Sequence, residues 1–363
     1  MNRTLALKFQ ILVPSFQQQS ELMKKALAPF YDSIIIPKTS LYGQRFTTWF
    51  VFTPALRSYL YQLAFSGKLM HAQRVMYITA EGIPNVSDAE RSLLKGWVIL
   101  AVSDFSKRML EKAQIHVDGV VFHAIDEDEP YRCQEQAMAL RKHYDELYKG
   151  RVLFAYSGSE VARKRVDLMI PAFRKAVEKS GNKIALISHS KIKFISGDQT
   201  KPIVPKGVAL TNPYPVAKTG NWFTEENIFG HASHEYVTAL HSACDFLLWS
   251  TCCEGFGVPP IEAMSCSKPV VAGKFAPNTE IMTDDSTIWY ETPNVKYENY
   301  GLEQDFEMHY YNESAFVDAI LHAVDIFINY KDSYREMCVK AKEQASKFDY
   351  RKVYGIELRK YLV

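Results

Sequence analysis

The residues of this chain best equipped for chemistry lie in the run Ser250-Thr251-Cys252-Cys253-Glu254-Gly255-Phe256-Gly257-Val258-Pro259-Pro260-Ile261-Glu262-Ala263-Met264. Two carboxylates, Glu254 and Glu262, stand eight positions apart, with Gly-Phe-Gly after the first and Pro-Pro before the second. The apolar run Phe246-Leu247-Leu248-Trp249 just upstream reads as a buried parallel strand. Strand, glycine loop and proline-opened helix therefore follow one another, since proline suits a first helical turn whose N–H needs no partner. Gly255 and Gly257 permit positive φ and a close approach of backbone N–H groups to a ligand. The new helix points its positive end at the same place, which favours an anion. A carboxylate in an anion site is poorly explained by charge alone. It is well explained if it accepts hydrogen bonds from sugar hydroxyls, so the combination points to a nucleotide-sugar.

Two further groups fit that ligand. Arg163-Lys164-Arg165 precedes a helical pattern over 166–179. Cations there oppose the helix dipole by roughly 0.3–1 kcal/mol each, a penalty that a bound anion turns into a gain. Glu81, in Ala80-Glu81-Gly82, follows a strand pattern over 75–79. It is a candidate acceptor for a hydroxyl at the strand end, against the plainer reading of a turn carboxylate before Gly82.

The elements that must position these residues alternate between β-rich apolar runs and helical patterns, which predicts α/β layers with parallel sheets. Strands are expected over 5–13, 33–37, 47–52, 75–79, 97–102 and 119–123, then 152–156, 184–187, 207–210, 246–249 and 270–272. Helices are expected over 18–29, 56–65, 106–113, 131–148, 166–179, 314–330 and 332–347, with a kink or opening at Pro171. An amphipathic stretch closes the chain over 349–362. At 363 residues the chain exceeds one ordinary core. Two domains are therefore expected, 1–148 and 149–348, divided at Lys149-Gly150.

With 43 basic and 41 acidic residues, the net charge of +2 argues against a dedicated nucleic-acid binder. The six cysteines show neither Cys-x-x-Cys nor zinc-ligand spacing, so reduced core cysteines and a cytoplasmic setting are expected. No signal peptide and no run of roughly 20 apolar residues is visible. Peripheral contact with a membrane face stays open. Asp284-Asp285-Ser286 reads as an ordinary turn, and with no Asp-x-Asp motif no metal is expected. His71, His123 and His189 have no partner pattern and read as core or surface residues.

The segment Ser250, Glu254-Gly255-Phe256-Gly257, Glu262-Ala263-Met264 and Pro269-Val270-Val271-Ala272-Gly273 resembles the Glu-x7-Glu signature of retaining GT-B glycosyltransferases, family 4 in particular. Val102-Ser103-Asp104-Phe105-Ser106-Lys107 resembles that family's strand ending in Val-Ser before a helix, and Val120 to Asp126 its Pro-x-Gly-Val-Asp segment. Ile228-Phe229-Gly230-His231 loosely resembles the strand end upstream of the signature. The tail, about 349–363, resembles the helix that crosses back onto the N-terminal domain.

The resemblance implies two Rossmann-like domains facing across a crevice, the first for an acceptor and the second for a nucleotide-sugar such as a UDP- or GDP-sugar. It implies a metal-independent hexosyltransferase with no cofactor beyond its donor, acting on a glycan, lipid or protein-linked acceptor. Glu262 would take the ribose, Glu254 the transferred sugar, and Arg163, Lys164 and the backbone of Gly255, Phe256 and Gly257 the diphosphate and sugar. Glu254 and Glu81 are the candidate catalytic residues. Two departures stand out. An arginine expected near Gly158 and Ser159 is missing, and the first loop, Pro14-Ser15-Phe16-Gln17-Gln18-Gln19-Ser20, has no glycine. They motivate the alternative of a non-catalytic sugar-nucleotide or glycan-binding protein derived from such an enzyme.

Overall fold

A computed structural model of the protein describes residues 3–9, 14–35, 47–53, 56–57, 59–60, 72–158, 161–189, 216–218, 223–226, 233–301 and 303–362. Three predicted features lie outside these residues: the 207–210 strand, the Phe229-Gly230 segment and most of the 56–65 helix.

The first sheet is parallel throughout and has the order β2-β1-β3-β4-β6-β7. Its strands are β1 (Thr4–Phe9), β2 (Ser33–Ile35), β3 (Thr48–Thr53), β4 (Gln73–Ile78), β6 (Val98–Ala101) and β7 (Gly119–Val120). The second sheet has the order β10-β11-β9-β8-β12-β13-β14, with only the β10–β11 pair antiparallel. It is built from β8 (Val152–Ser157), β9 (Ile184–His189), β10 (Val216–Lys218), β11 (Phe223–Glu226), β12 (Phe246–Trp249), β13 (Val270–Gly273) and β14 (Thr287–Tyr290). Every residue of β3, β8, β12 and β13 is buried, as helices on both faces of a parallel sheet require. The expected architecture of two Rossmann-like parallel-sheet domains is the one this chain forms.

In the second sheet β11-β9-β8-β12-β13-β14 follows the doubly wound order, and the connectivity reverses between β8 and β12. Ligands of such sheets bind at that switch point, beyond the carboxyl ends of the strands. Arg163 and Lys164 follow β8, and Glu254 follows β12. The topology thus puts the candidate residues on neighbouring strand ends.

A third, antiparallel sheet was not foreseen. β5 (Gly82–Pro84), directly after Glu81, pairs with β16 (Gln304–Tyr310), which pairs with β15 (Asn294–Glu298). A hairpin from the second half thereby adds to a strand of the first. A Cβ on Gly82 would lie 2.0 Å from the Asp305 carbonyl oxygen, so only glycine admits this pairing.

Several local readings change. The first loop is the opening of a helix, Pro14–Leu27, with Pro14 at its first position; a helix start with proline needs no glycine. The helix Val166–Lys179 continues through Pro171 without a break. The helix Gln134–Tyr148 ends on left-handed Lys149 and Gly150 (φ 31° and 74°) and packs on the helix His234–Ala243. The tail lies on the first helix, where the Tyr354 hydroxyl donates to Gln19 Oε1, and Ile125 bridges Asp349. None of the six cysteines is in a disulfide, and five of them are buried. No described helix is long and apolar enough to cross a membrane.

Candidate active site at the junction of the two sheets

The loop after β8 is tied down before its side chains do anything. Ala162–Lys164 form a 3-10 turn, and Arg165 (φ 49°) takes the left-handed conformation that starts the next helix. Left-handed backbone is uncommon outside glycine, and here it turns two carbonyls toward the loop after β12. The Arg163 carbonyl accepts from Cys252 N (2.9 Å) and Thr251 Oγ1 (3.2 Å), and the Lys164 carbonyl from Ser250 Oγ (2.7 Å). The two loops flanking the switch point are stitched into one platform.

On that platform four of the candidate side chains meet. Arg163 bridges two carboxylates, with Nη1 3.0 Å from Glu254 Oε1 and Nη2 2.8 Å from Glu81 Oε1. Lys164 Nζ pairs with the same Glu254 oxygen and sits 4.2 Å above the Trp249 ring. Arg165, by contrast, turns to Asp167 and stacks near Tyr310. Of the basic triplet, only Arg163 and Lys164 reach the cluster.

Glu254 and Lys164 are buried, 5% and 7% exposed, while Glu81 and Arg163 stay partly exposed. Burial works against the Glu254 charge, but Lys164 and Arg163 outweigh it and hold its carboxyl below the usual range. Glu81 goes the other way. Burial raises it, Arg163 lowers it, and the Glu254 charge raises it again, leaving it above the ordinary value. Two carboxylates with opposed shifts around one guanidinium mark a functional-site candidate on physical grounds.

Glu81 is held by its backbone. Its N–H donates to Gln304 Oε1 (3.1 Å), and its carbonyl accepts from Glu307 N (3.3 Å) and Cys253 Sγ (3.0 Å). The hairpin of the third sheet therefore fixes where Glu81 stands relative to Glu254.

Gly255 serves a different purpose from the one its sequence context suggests. Its φ is not left-handed. Its carbonyl accepts from Ser103 Oγ (2.5 Å) and Ser106 Oγ (3.1 Å), both at the start of the helix Asp104–Lys112. A Cβ there would meet Thr79 Cγ2 at 2.5 Å and the Ala80 carbonyl oxygen at 3.2 Å. The glycine admits the opposite domain, not a ligand. Gly255→Ala should lower stability by about 1–3 kcal/mol as the two faces are forced apart, and it should reduce any turnover with it. Thermal melts and rates on the purified variant test both.

Gly257 (φ 95°) does take the glycine conformation, at the N-cap of the helix Val258–Ser265. Among the described residues, the N–H groups of Phe256 and Gly257 have no acceptor. Both lie at a helix N-terminus. The Phe256 side chain is buried against His123 (centroids 5.1 Å apart), Phe122 and Phe348. His123 is thus an interface residue, kept neutral by burial that pulls its pKa to about 3. His189 ends β9, and His71 lies outside the described residues.

Glu262 stands apart from the four-residue cluster, in a network that sequence reading missed. His234 Nε2 lies 2.8 Å from Glu262 Oε1, and His234 Nδ1 lies 2.5 Å from Glu129 Oε2. Gln18 Nε2 lies 2.5 Å from the same ring nitrogen. Ser233 caps the helix that His234 opens, accepting from Tyr236 N. That cap is readable in the sequence, whereas the pairing with carboxylates 28 and 105 residues away is not. Burial opposes the imidazolium, yet Glu262 and Glu129 overcome it and raise the pKa to about 10.

A group whose folded pKa is raised stabilises fully below its unfolded pKa and loses that contribution as pH climbs through the folded one. Stability should therefore decline between pH 6.5 and about 10 in the wild type, and less steeply in His234→Gln. The charged and titratable groups facing His234 are Glu129, Glu262 and, nearby, the neutral His241, lowered to about 4 by burial. Melting temperatures across that range, for both proteins, test the assignment.

Two doubly wound domains with their strand ends facing across a charged junction define a GT-B fold. Comparison with known proteins agrees. Residues 224–300, which contain Glu254 and Glu262, match the family described as "Glycosyl transferases group 1". A relative from Sulfolobus islandicus rod-shaped virus 1, "Uncharacterized glycosyltransferase 335", is 27% identical over 350 residues, spanning 94% of this chain and 95% of the relative. Among solved structures, a glycosyltransferase from Rickettsia africae superposes with a TM-score of 0.67 at 15% identity, covering 99% of this chain and 98% of the other. Anabaena Alr3699/HepE in complex with UDP-glucose superposes with a TM-score of 0.63 at 14% identity, covering 98% of each chain.

Proposed function

We propose that the chain is a retaining, metal-independent glycosyltransferase that moves a hexosyl group from a UDP- or GDP-sugar to a hydroxyl of a glycan, lipid or protein-linked sugar. The observation that carries this reading is the cluster Glu81–Arg163–Glu254–Lys164, contributed by both halves of the chain at the switch point of the second sheet. The match of residues 224–300 and the UDP-glucose complex of the HepE fold relative support the donor class.

In this reading Arg163, Lys164 and the Phe256 and Gly257 N–H groups receive the diphosphate, and Glu262 receives the ribose. Two fixed cations aimed at the leaving group supply the electrostatic stabilisation that a metal provides elsewhere. They also stand in for the arginine missing near Gly158. Glu254, released from Lys164 by the incoming phosphate, orients the sugar hydroxyls, and Glu81 accepts from the acceptor or donor. The bond from the anomeric carbon to the phosphate oxygen breaks. The acceptor oxygen bonds to that carbon on the same face, and its proton passes to the departing phosphate. The acceptor side is assigned to 1–148 and the donor side to 149–348, with the division at Lys149-Gly150 and the tail as a strap. The setting is cytoplasmic, with peripheral contact if the acceptor is a lipid.

The test is turnover of UDP- and GDP-sugars in EDTA, with glycan and lipid extracts as acceptors, followed by NMR of the anomeric proton. A product with the donor's anomeric configuration is expected. An inverted product overturns retention, and release only on adding a divalent cation overturns metal independence. Donor binding without release under every acceptor favours a binding protein derived from such an enzyme.

A further inference from the structure

The network around Glu262 does something that the donor-site reading alone does not require. Glu262 and Glu129 are each 8% exposed, and between them His234 offers two N–H donors to two different carboxylates. Each carboxylate can accept only from the nitrogen it faces, so the ring is locked in plane and in charge. One Glu262 oxygen, Oε1, is taken by His234, while Oε2 has no protein partner among the described residues. That oxygen retains contact with solvent.

We propose that His234 is the positioning residue of the nucleotide subsite. Together with Glu129 it pins one oxygen of Glu262, so that only the other oxygen reads the sugar of a nucleoside diphosphate. The inference rests on the reading of Glu262 as a ribose contact. It adds a consequence: recognition is one-sided. With a single free oxygen, the subsite weighs one of the 2′- and 3′-hydroxyls more heavily than the other. Gln18 Nε2, from the first helix of the chain, lies against the same ring nitrogen, but an amide N–H cannot accept from an imidazolium N–H, so the two carboxylates alone hold the ring.

Calorimetric titrations with UDP, GDP, their 2′-deoxy and 3′-deoxy forms, and inorganic pyrophosphate test this, using wild type, His234→Gln and Glu129→Gln. In the wild type, one deoxy form should bind about tenfold or more weakly and the other nearly as well as the parent, since a hydrogen bond to a charged group is at stake. In His234→Gln the parent nucleotide should weaken about tenfold and the two deoxy forms should converge, while pyrophosphate, held by Arg163 and Lys164, binds unchanged. Glu129→Gln, which keeps an acceptor for Nδ1, should show the same pattern more weakly. A merely structural role would weaken pyrophosphate in step with the nucleotides. That result overturns the proposal, as does nucleotide discrimination in His234→Gln equal to that of the wild type. If the wild type binds neither UDP nor GDP, the transferase reading falls first and this inference with it.

Discussion

Glu254→Gln is expected to reduce turnover by roughly 10²–10³-fold while nucleoside diphosphate binds at least as tightly as to the wild type. The two effects separate because Glu254 plays two parts. Without ligand it neutralises Lys164 and Arg163 from a buried position. On the proposed reading it faces the sugar once donor is bound, and the cations turn to phosphate. Removing its charge frees both cations for the diphosphate but leaves nothing to orient the sugar. The free protein should suffer, because breaking a buried pair costs on the order of 3–5 kcal/mol. Burial already works against the Lys164 charge, and removing Glu254 takes away the carboxylate that offsets it. Added nucleoside diphosphate should restore much of the lost melting temperature, as any ligand of the folded state does. Loss of nucleotide binding in parallel with turnover would contradict this division of labour.

Arg163→Met carries the second large effect. Arg163 forms ion pairs with both Glu81 and Glu254, and its charge is the larger of the two that hold Glu81 down against burial. Without it Glu81 should stay protonated further up the pH scale, and the variant's residual rate should rise with pH where the wild-type profile is flat. Turnover at neutral pH should fall by at least about 10² with the loss of one charge-stabilising group, and stability by roughly 3–5 kcal/mol. Lysine is a poor substitute, because an ammonium lacks the planar fork that spans two carboxylates. Superimposable pH–rate profiles for variant and wild type would remove Glu81 from the account.

Much of this site was legible because it is local. Strand, glycine loop and proline-opened helix follow one another over Phe246 to Met264, and the structure places Phe246–Trp249 and Val258–Ser265 accordingly. The helix after Arg163-Lys164-Arg165 begins at Val166, as its apolar spacing indicates. What escaped was pairing at a distance. β5 is three residues long and contains Pro84, so nothing in its pattern announces a strand; it exists because β16 supplies partners 220 residues later. The opposed roles of Gly255 and Gly257 are equally invisible in the sequence, since both glycines sit in the same loop. One is demanded by the neighbouring domain and the other by its own φ. His234 has an ordinary helix-start context, and only the fold brings Glu129 and Glu262 to its two nitrogens.

If the Glu81–Arg163–Glu254–Lys164 cluster is the transfer site of a nucleotide-sugar enzyme, the deciding measurement is the release of nucleoside diphosphate from UDP- and GDP-sugars by wild type, Glu254→Gln and Glu262→Ala under one set of conditions. Release from one donor by the wild type is expected. Glu254→Gln should remain saturable by that donor at a rate reduced at least a hundredfold, in line with the loss of an oriented charge-stabilising group. Glu262→Ala should need far more donor to turn over at all. Equal release by all three proteins would contradict the claim, as would a wild type that neither binds nor cleaves any donor.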